Sequence, residues 1–441
     1  MVGLLVSAVA AFTWSTSVVR AQDYPSGQQL RDRIGGGNLV THLAGSPAAA
    51  QMYQALHGAG ARMGRMNSYG WRTLDRKPTP ADFDAAMLEA HRNGITPVIL
   101  LEYEGSYQNL NPPQPIGSYH DWFVAGQAMA RRFRPDGEWG RENGIAGWGA
   151  RIFTAVNEPD VQATIPRKAY HDAMAGLADG VHSVDRALKV VPGGFATCNS
   201  HGDATLRGYG PAIADLLEDG RLDGIDLHTY YNDRWYPMTR GRAFSAQTCF
   251  DRVKQAMGLK RDTRFYATEF NVARAGEWED PKLAAKLFLT AFWDQVGVVG
   301  NGGHAPVTVL AFPWNLGDTL RIDGPQYAMA AGEKPWLPEE RSVVLQNILQ
   351  LAGEMTVTSI DKPRGLTMLA GRDADLIVWQ NLPGWTDRPG STLELALPDW
   401  ARTIEVWAWD GLYRRASARG EQYVLDGLRE NETYMIRIPR R

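Results

Sequence analysis

Two cysteines stand in 441 residues, Cys198 and Cys249. That number excludes a disulfide framework and a cysteine-ligated metal site, and two separate buried thiols are the expected arrangement. Nine histidines occur, and no two form a His-x-His pair. A metal-dependent hydrolase needs such a ligand cluster, so neither a metal nor a cofactor is expected. The glycine-rich stretch "IGGGN" lacks both the G-x-G-x-x-G spacing and the phosphate-loop lysine, which argues against nucleotide binding. Charge of one sign is missing too: Lys plus Arg number 46 against 49 Asp plus Glu, for a net charge of −3. Nothing in that balance suggests a nucleic-acid surface. Repeats and low-complexity segments are absent. The longest apolar run outside the strand-like segments is Val2 to Trp14, too short for a convincing membrane span. With "VRA" ahead of Gln22 it reads as an export signal over residues 1–22. It is atypical, because "MVG" carries no Lys or Arg. A periplasmic or secreted protein, monomeric and without a stable membrane span, is expected.

Hydrophobic residues make up 44% of the chain, with 15 Trp and 16 Tyr, a globular composition rich in aromatics. Short apolar runs alternate with helical patterns. The runs cover 34–40, 60–67, 95–103, 151–158, 188–195, 224–231, 264–272 and 307–315. Between them, 79–94, 166–185 and 280–297 carry apolar residues at helical spacing with helix start and stop signals. Eight strands each followed by a helix predict a (β/α)₈ TIM barrel over residues 23–352. After Gly353 the period changes to two, which predicts a C-terminal antiparallel β-sandwich over 353–441.

In such a barrel the reactive groups follow the C-terminal ends of the strands. The stretch "RIFTAVNEPD" climbs through an apolar run and stops at Asn157-Glu158-Pro159. A carboxylate ending a buried strand is costly unless it is paired or used. Strand two offers Arg65 and then Trp71, and strand three ends near Tyr103. Strand six ends in His228 and Tyr230, strand seven in Glu269 and strand eight in Trp314. Two carboxylates facing each other in a cleft lined with aromatics fit glycoside hydrolysis. One acid protonates the leaving oxygen while a second carboxylate attacks or activates water. Aromatic faces stack on sugar rings.

"VNEP" closing strand four and "ATEFN" closing strand seven resemble the large clan of retaining glycosidases built on (β/α)₈ barrels. The resemblance runs from about residue 34 to 350 and is nearest to family 39 of the glycoside hydrolases. That family includes β-xylosidases, α-iduronidases and endo-acting enzymes that cut bacterial exopolysaccharides. The spacing of Glu158 and Glu269 along the chain looks most like the endo-acting members. The resemblance implies that Glu158 is the acid/base, Glu269 the nucleophile and Asn157 the partner of the substrate 2-hydroxyl. It implies that His228 and Tyr230 orient the nucleophile, that Arg65 is a cation beside it, and that Trp314 floors the sugar site. Tyr103 and Trp71 are expected to contact substrate. Glu158 has to begin protonated, which burial and a neighbouring negative charge favour.

Retention against inversion turns on the carboxylate separation, and the strand-four and strand-seven placement favours retention. The long interval after strand three, 103–122, reads as one wall of an open groove. No insertion faces it near 272–280. Endo cleavage of a β-linked exopolysaccharide is therefore the expectation, with oligosaccharides and polysaccharides as partners. Exo action of the β-xylosidase kind, or a non-catalytic carbohydrate-binding barrel, are the alternatives.

Overall fold

The computed structural model describes residues 28–40, 47–67, 80–103, 116–162, 165–196, 208–231, 245–272, 280–301, 303–313, 330–331, 337–338, 340–418 and 422–440. The signal-like segment, Trp71, Trp314, and most of the 103–122 and 272–280 stretches lie outside them.

A short 3₁₀ turn, Leu30–Arg33, leads into β1 (Gly35–Val40), α1 (Pro47–Gly58), β2 (Met63–Asn67), α2 (Pro80–Arg92) and β3 (Thr96–Leu101). Then come α3 (Tyr119–Phe133), α4 (Glu138–Glu142), β4 (Ile152–Asn157), α5 (Pro159–Gln162), α6 (Arg167–His182) and β5 (Lys189–Gly193). Next are α7 (Tyr209–Ala212), α8 (Ala214–Glu218), β6 (Gly224–Asp226), β7 (Thr229–Tyr231), α9 (Ala246–Met257), β8 (Arg264–Val272), α10 (Pro281–Val296) and β9 (Thr308–Pro313). A two-residue pair, β10 (Ala330–Ala331) and β11 (Leu337–Pro338), precedes α11 (Glu340–Ala352). Strand and helix therefore alternate as the periodicity predicts. The sixth predicted strand is broken in two at Leu227-His228.

The helices start where local chemistry dictates. Ser118 caps α3 in a reciprocal box with Asp121. Ser245 caps α9, and Asp280 with Pro281 opens α10. Each satisfies backbone N–H groups that a helix start leaves unbonded.

The strands form two parallel sheets, β1-β2-β3-β4-β5 and β6-β8-β7 with β9 on β8. Single parallel bridges join the sheets at both edges, Phe195 to Leu227 and Ile34 to Ala311. A small apolar cluster takes Met63, Val98, Ile152, Val191, Tyr266, Val309, Leu310 and Phe312, from strands of both sheets. Both sheets thus face one interior.

The C-terminal segment is antiparallel. It comprises β12 (Thr356–Asp361), β13 (Leu366–Ala370), β14 (Ala374–Asn381), β15 (Leu393–Ala396), β16 (Thr403–Ala408), β17 (Gly411–Ser417), β18 (Gln422–Leu425) and β19 (Glu432–Pro439). Six strands pair in the order β12-β13-β14-β19-β16-β17, and β15 pairs with β18. A second core fills the space between the two sheets, with Trp379, Leu395, Ile404, Leu425 and Ile436 among its members. This is the layering of a β-sandwich.

Every residue of β14 is buried. Ile377 and Trp379 face the sandwich core, while Leu376 and Val378 join the main core of the parallel-sheet unit. Helix α10 is the contact. Thr290 Oγ1 meets Thr433 Oγ1 at 2.8 Å, Gln380 Nε2 donates to Thr290 O at 3.1 Å, and Trp385 Nε1 donates to Asp294 Oδ1 at 3.2 Å. Cys249, buried on α9, is disulfide-bonded, which corrects the expectation of two separate thiols. Spacing along the chain could not show this, because pairing depends on proximity in the fold. Among the described residues, no helix is long and apolar enough to cross a membrane.

Candidate active site

Arg65 sits on β2 with no exposed surface. A buried guanidinium needs acceptors, and two strands, β4 and β8, supply them. Its Nη1 donates to Asn157 Oδ1 at 3.0 Å and to Thr268 Oγ1 at 3.1 Å. Its Nη2 donates to Glu269 Oε1. The other oxygen of Glu269 accepts the Tyr230 hydroxyl at 2.7 Å. Glu269 is thus held between a fixed cation and a phenol.

Burial pushes the Glu269 carboxyl above its ordinary value. His228, Arg65 and the Tyr230 hydrogen bond pull it back, while Glu158 pushes it further up. The guanidinium does not lose its proton, so it favours the ionised form of Glu269 against that burial.

Glu158 arrives by a distorted route. The register of β4 on β5 shifts between Ala155 and Asn157, a bulge. Val156 and Glu158 adopt φ of 59° and 48°. For a β-branched residue such as Val156 this is a strained conformation, which persists only where the surroundings impose it. The surroundings are explicit. Asn157 N–H donates to Glu102 Oε1, and Glu158 N–H donates to Gly194 O at 3.1 Å. Consecutive residues of a regular strand point to opposite faces. Here the bulge lets Asn157 reach Arg65 and Glu158 reach His228 from one strand end. Pro159 then opens α5, whose buried Asp160 accepts Ala196 N–H at the end of β5.

His228 lies in the gap between β6 and β7. Its Nδ1 is 2.7 Å from Glu158 Oε1 and 3.5 Å from Glu269 Oε2, and its Nε2 is 3.0 Å from Thr268 Oγ1. It therefore faces Glu158 more closely than Glu269, although the family resemblance implies a role beside the nucleophile. Burial lowers its pKa from the ordinary value, against the pull of Glu269 and Asp226. Space for the ring comes from Gly194, at φ +85°, where a Cβ would lie 2.0 Å from Nε2.

Glu158 keeps 17% of its side chain exposed, against 4% for Glu269. An oxygen of each, with a His228 nitrogen, lies within 4.8 Å of the others. Three such ligands could hold a metal ion by geometry. Arg65, bonded to Glu269, puts a fixed positive charge where the cation would sit, and so opposes one.

The structure thus brings together Arg65, Asn157, Glu158, His228, Tyr230 and Glu269. Tyr103 follows β3, partly buried against the main core, and burial raises its pKa from the ordinary value ahead of any effect of Glu102. Trp71 and Trp314 lie outside the described residues. Asp226 and Thr268 adjoin this group, Thr268 through His228 and Arg65 and Asp226 through Thr268, and neither is among the site residues expected from sequence. Asp226 carried a signal, a carboxylate inside the apolar run "GIDLHTYY".

No protein-family model matches this sequence, and no curated relative matches it. Solved structures do match in fold. A family 39 glycoside hydrolase from the gut symbiont Bacteroides cellulosilyticus aligns over 92% of this chain and 81% of its own, at 14% identity and a TM-score of 0.57. The chain shares its fold with glycoside hydrolases. A glucosidase from Croceicoccus marinus aligns over 94% of this chain and 97% of its own, at 14% identity and a TM-score of 0.55. A family 30 subfamily 8 xylanase from Clostridium acetobutylicum gives the same coverage and TM-score at 13% identity. Identities this low speak for the glycoside-hydrolase fold and leave chemistry to the residues.

Proposed function

We propose that this protein is a retaining glycoside hydrolase. The two parallel sheets are read as arcs of one (β/α)₈ barrel, on the two bridging pairs and the interior cluster drawn from both. One observation carries the chemistry. Oxygens of Glu158 and Glu269 approach within 4.8 Å, one carboxylate held by Arg65 and Tyr230, the other against His228. Retaining enzymes hold their carboxyl groups about 5–5.5 Å apart, whereas inverting ones leave about 6.5–9.5 Å for a water. The separation favours the retaining pair.

Glu269, ionised and fixed, attacks the anomeric carbon, and Glu158 gives its proton to the leaving oxygen. The bond to the leaving sugar breaks as a glycosyl ester forms on Glu269. Glu158, now a carboxylate, takes a proton from water as that water cleaves the ester. Asn157, held by Arg65, is placed to bond a substrate hydroxyl.

A fluorosugar that traps the ester should add its mass to the peptide carrying Glu269 and not appear in Glu269→Gln. A label on any other residue overturns the assignment.

The substrate proposal is a β-linked glycan of exopolysaccharide type, cut internally by an exported enzyme. It rests on the wall-and-gap reading of 103–122 and 272–280. Incubation with such a polysaccharide should lower viscosity early and release mixed oligosaccharides. Monosaccharide alone from the first minutes would instead favour exo action.

A further inference from the structure

We propose that Asp226 and Thr268 are positioning residues that lock one tautomer of His228, so that Nδ1 faces Glu158 as a proton acceptor. The chain of donors is short and closed. Thr268 N–H donates to Asp226 Oδ1 at 3.0 Å, and Thr268 Oγ1 lies 2.7 Å from Asp226 Oδ2. Burial raises the pKa of the Asp226 carboxyl, while His228, both Thr268 hydrogen bonds and Arg65 pull it back. In the ionised form proposed here it can only accept, so the single hydroxyl proton of Thr268 goes to it. Thr268 Oγ1 then has lone pairs left and no proton. Arg65 Nη1 donates to one, at 3.1 Å. His228 Nε2, at 3.0 Å, must donate to the other and so carries a proton.

In the neutral ring that leaves Nδ1 bare, 2.7 Å from Glu158 Oε1. Two bare acceptors do not sit at that distance, so the proton between them belongs to the pair and rests on the carboxyl oxygen. Burial of His228, which disfavours the imidazolium, keeps it there. The relay thus presents Glu158 in the protonated form that a first half-reaction requires. No atom is oxidised or reduced, and only hydrogen-bond direction is set.

The described groups acting on His228, or on Glu269 beside it, are Arg65 on β2, Asp226 on β6, Tyr230 on β7 and Glu269 on β8. Asp226, Thr268 and His228 are all buried, so bulk water does not compete for these bonds.

The inference deepens the glycosidase reading, and its test separates the two. The first measurement needs no activity: ¹⁵N shifts of His228, assigned by comparison with His228→Gln. Protonated Nε2 and bare Nδ1 are expected in the native protein. A proton on Nδ1 alone overturns the proposal whatever the enzyme does. The second uses Asp226→Asn, whose amide can donate to Thr268 Oγ1 and reverse the relay. The proton should move to Nδ1. The alkaline limb of kcat/KM should shift down by about one pH unit or more. Turnover of an aryl glycoside that needs no acid should hold. Thr268→Ser, which keeps the hydroxyl and loses only the methyl, should keep the native profile, which a role in packing alone would not predict. An unmoved tautomer and an unmoved limb in a folded Asp226→Asn would refute the relay. Absence of hydrolysis in the native protein, with the expected shifts, would refute the glycosidase reading alone.

Discussion

In the mechanism proposed, the exposure of the two glutamates divides their work. Glu269 is sealed between Arg65 and Tyr230, while Glu158 retains a face to solvent. A nucleophile needs a fixed position, and an acid/base must exchange its proton with incoming water. Glu158→Ala should therefore slow hydrolysis of glycosides with poor leaving groups by about 10²–10⁴-fold. An activated aryl glycoside should still show a fast first step. Azide should restore turnover and yield a β-glycosyl azide. Chromatography of that product is the check, and equal loss on both substrates without rescue would remove Glu158 from the role. Such glutamates were legible in the sequence because each interrupts an apolar run at its end. Asp226 showed as a carboxylate in an apolar run, but its pairing with Thr268 did not, because that partner lies on a neighbouring strand and not nearby in sequence. His228 was legible as a site residue, yet not its facing partner. That depends on a bulge that periodicity does not show.

At the scale of elements, the eight apolar runs and the three helical patterns all reappear. Their signal is burial itself: β3, β4 and β9 are apolar nearly throughout because both faces are covered. The break of the sixth run at Leu227-His228 was not visible, since it is caused by a bridge to Phe195 on another element. That corner depends on Gly194. Gly194→Ala would set a methyl carbon 2.0 Å from His228 Nε2 on a left-handed backbone. Gly258, at φ +67°, has nothing within 4 Å of its would-be Cβ and isolates the backbone cost. Both variants should lose about 1–3 kcal/mol from strain, read by denaturant melts. Gly194→Ala alone should lose acid-dependent hydrolysis. Equal activity in the two would show that the His228 ring has room to move.

The whole molecule shares a core across its parallel and antiparallel parts. Val357, Ile360, Leu369, Leu376, Val378 and Trp385 belong to the same cluster as Phe288 and Phe292 of α10. Trp385 also donates to Asp294, which accepts Tyr231 OH and Ala246 N–H from the other side. Periodicity distinguished the two parts but could not reveal that β14 is covered on both faces. Because the seam is core, calorimetry should show one unfolding peak. Trp385→Ala should lower it by about 3–5 kcal/mol in stability without splitting it. Two resolved peaks in the native protein would mean the parts unfold independently.

The same seam governs how the chain can be made. Leu30 and Arg31 bond to Met355 and Gly353, Ile34 bridges Ala311, and β14 pairs with β19 along its length. A ribosome works in one direction, so Leu30 and Arg31 wait for partners more than three hundred positions later in the chain. Helix α10 waits, with its face at Thr290 uncovered, until Glu432–Pro439 has been synthesised. Nascent chains halted short of that strand display a sticky helix and an unfinished rim, the surface that chaperones and proteases recognise. Closure of this seam is thus withheld until Glu432–Pro439 has been made.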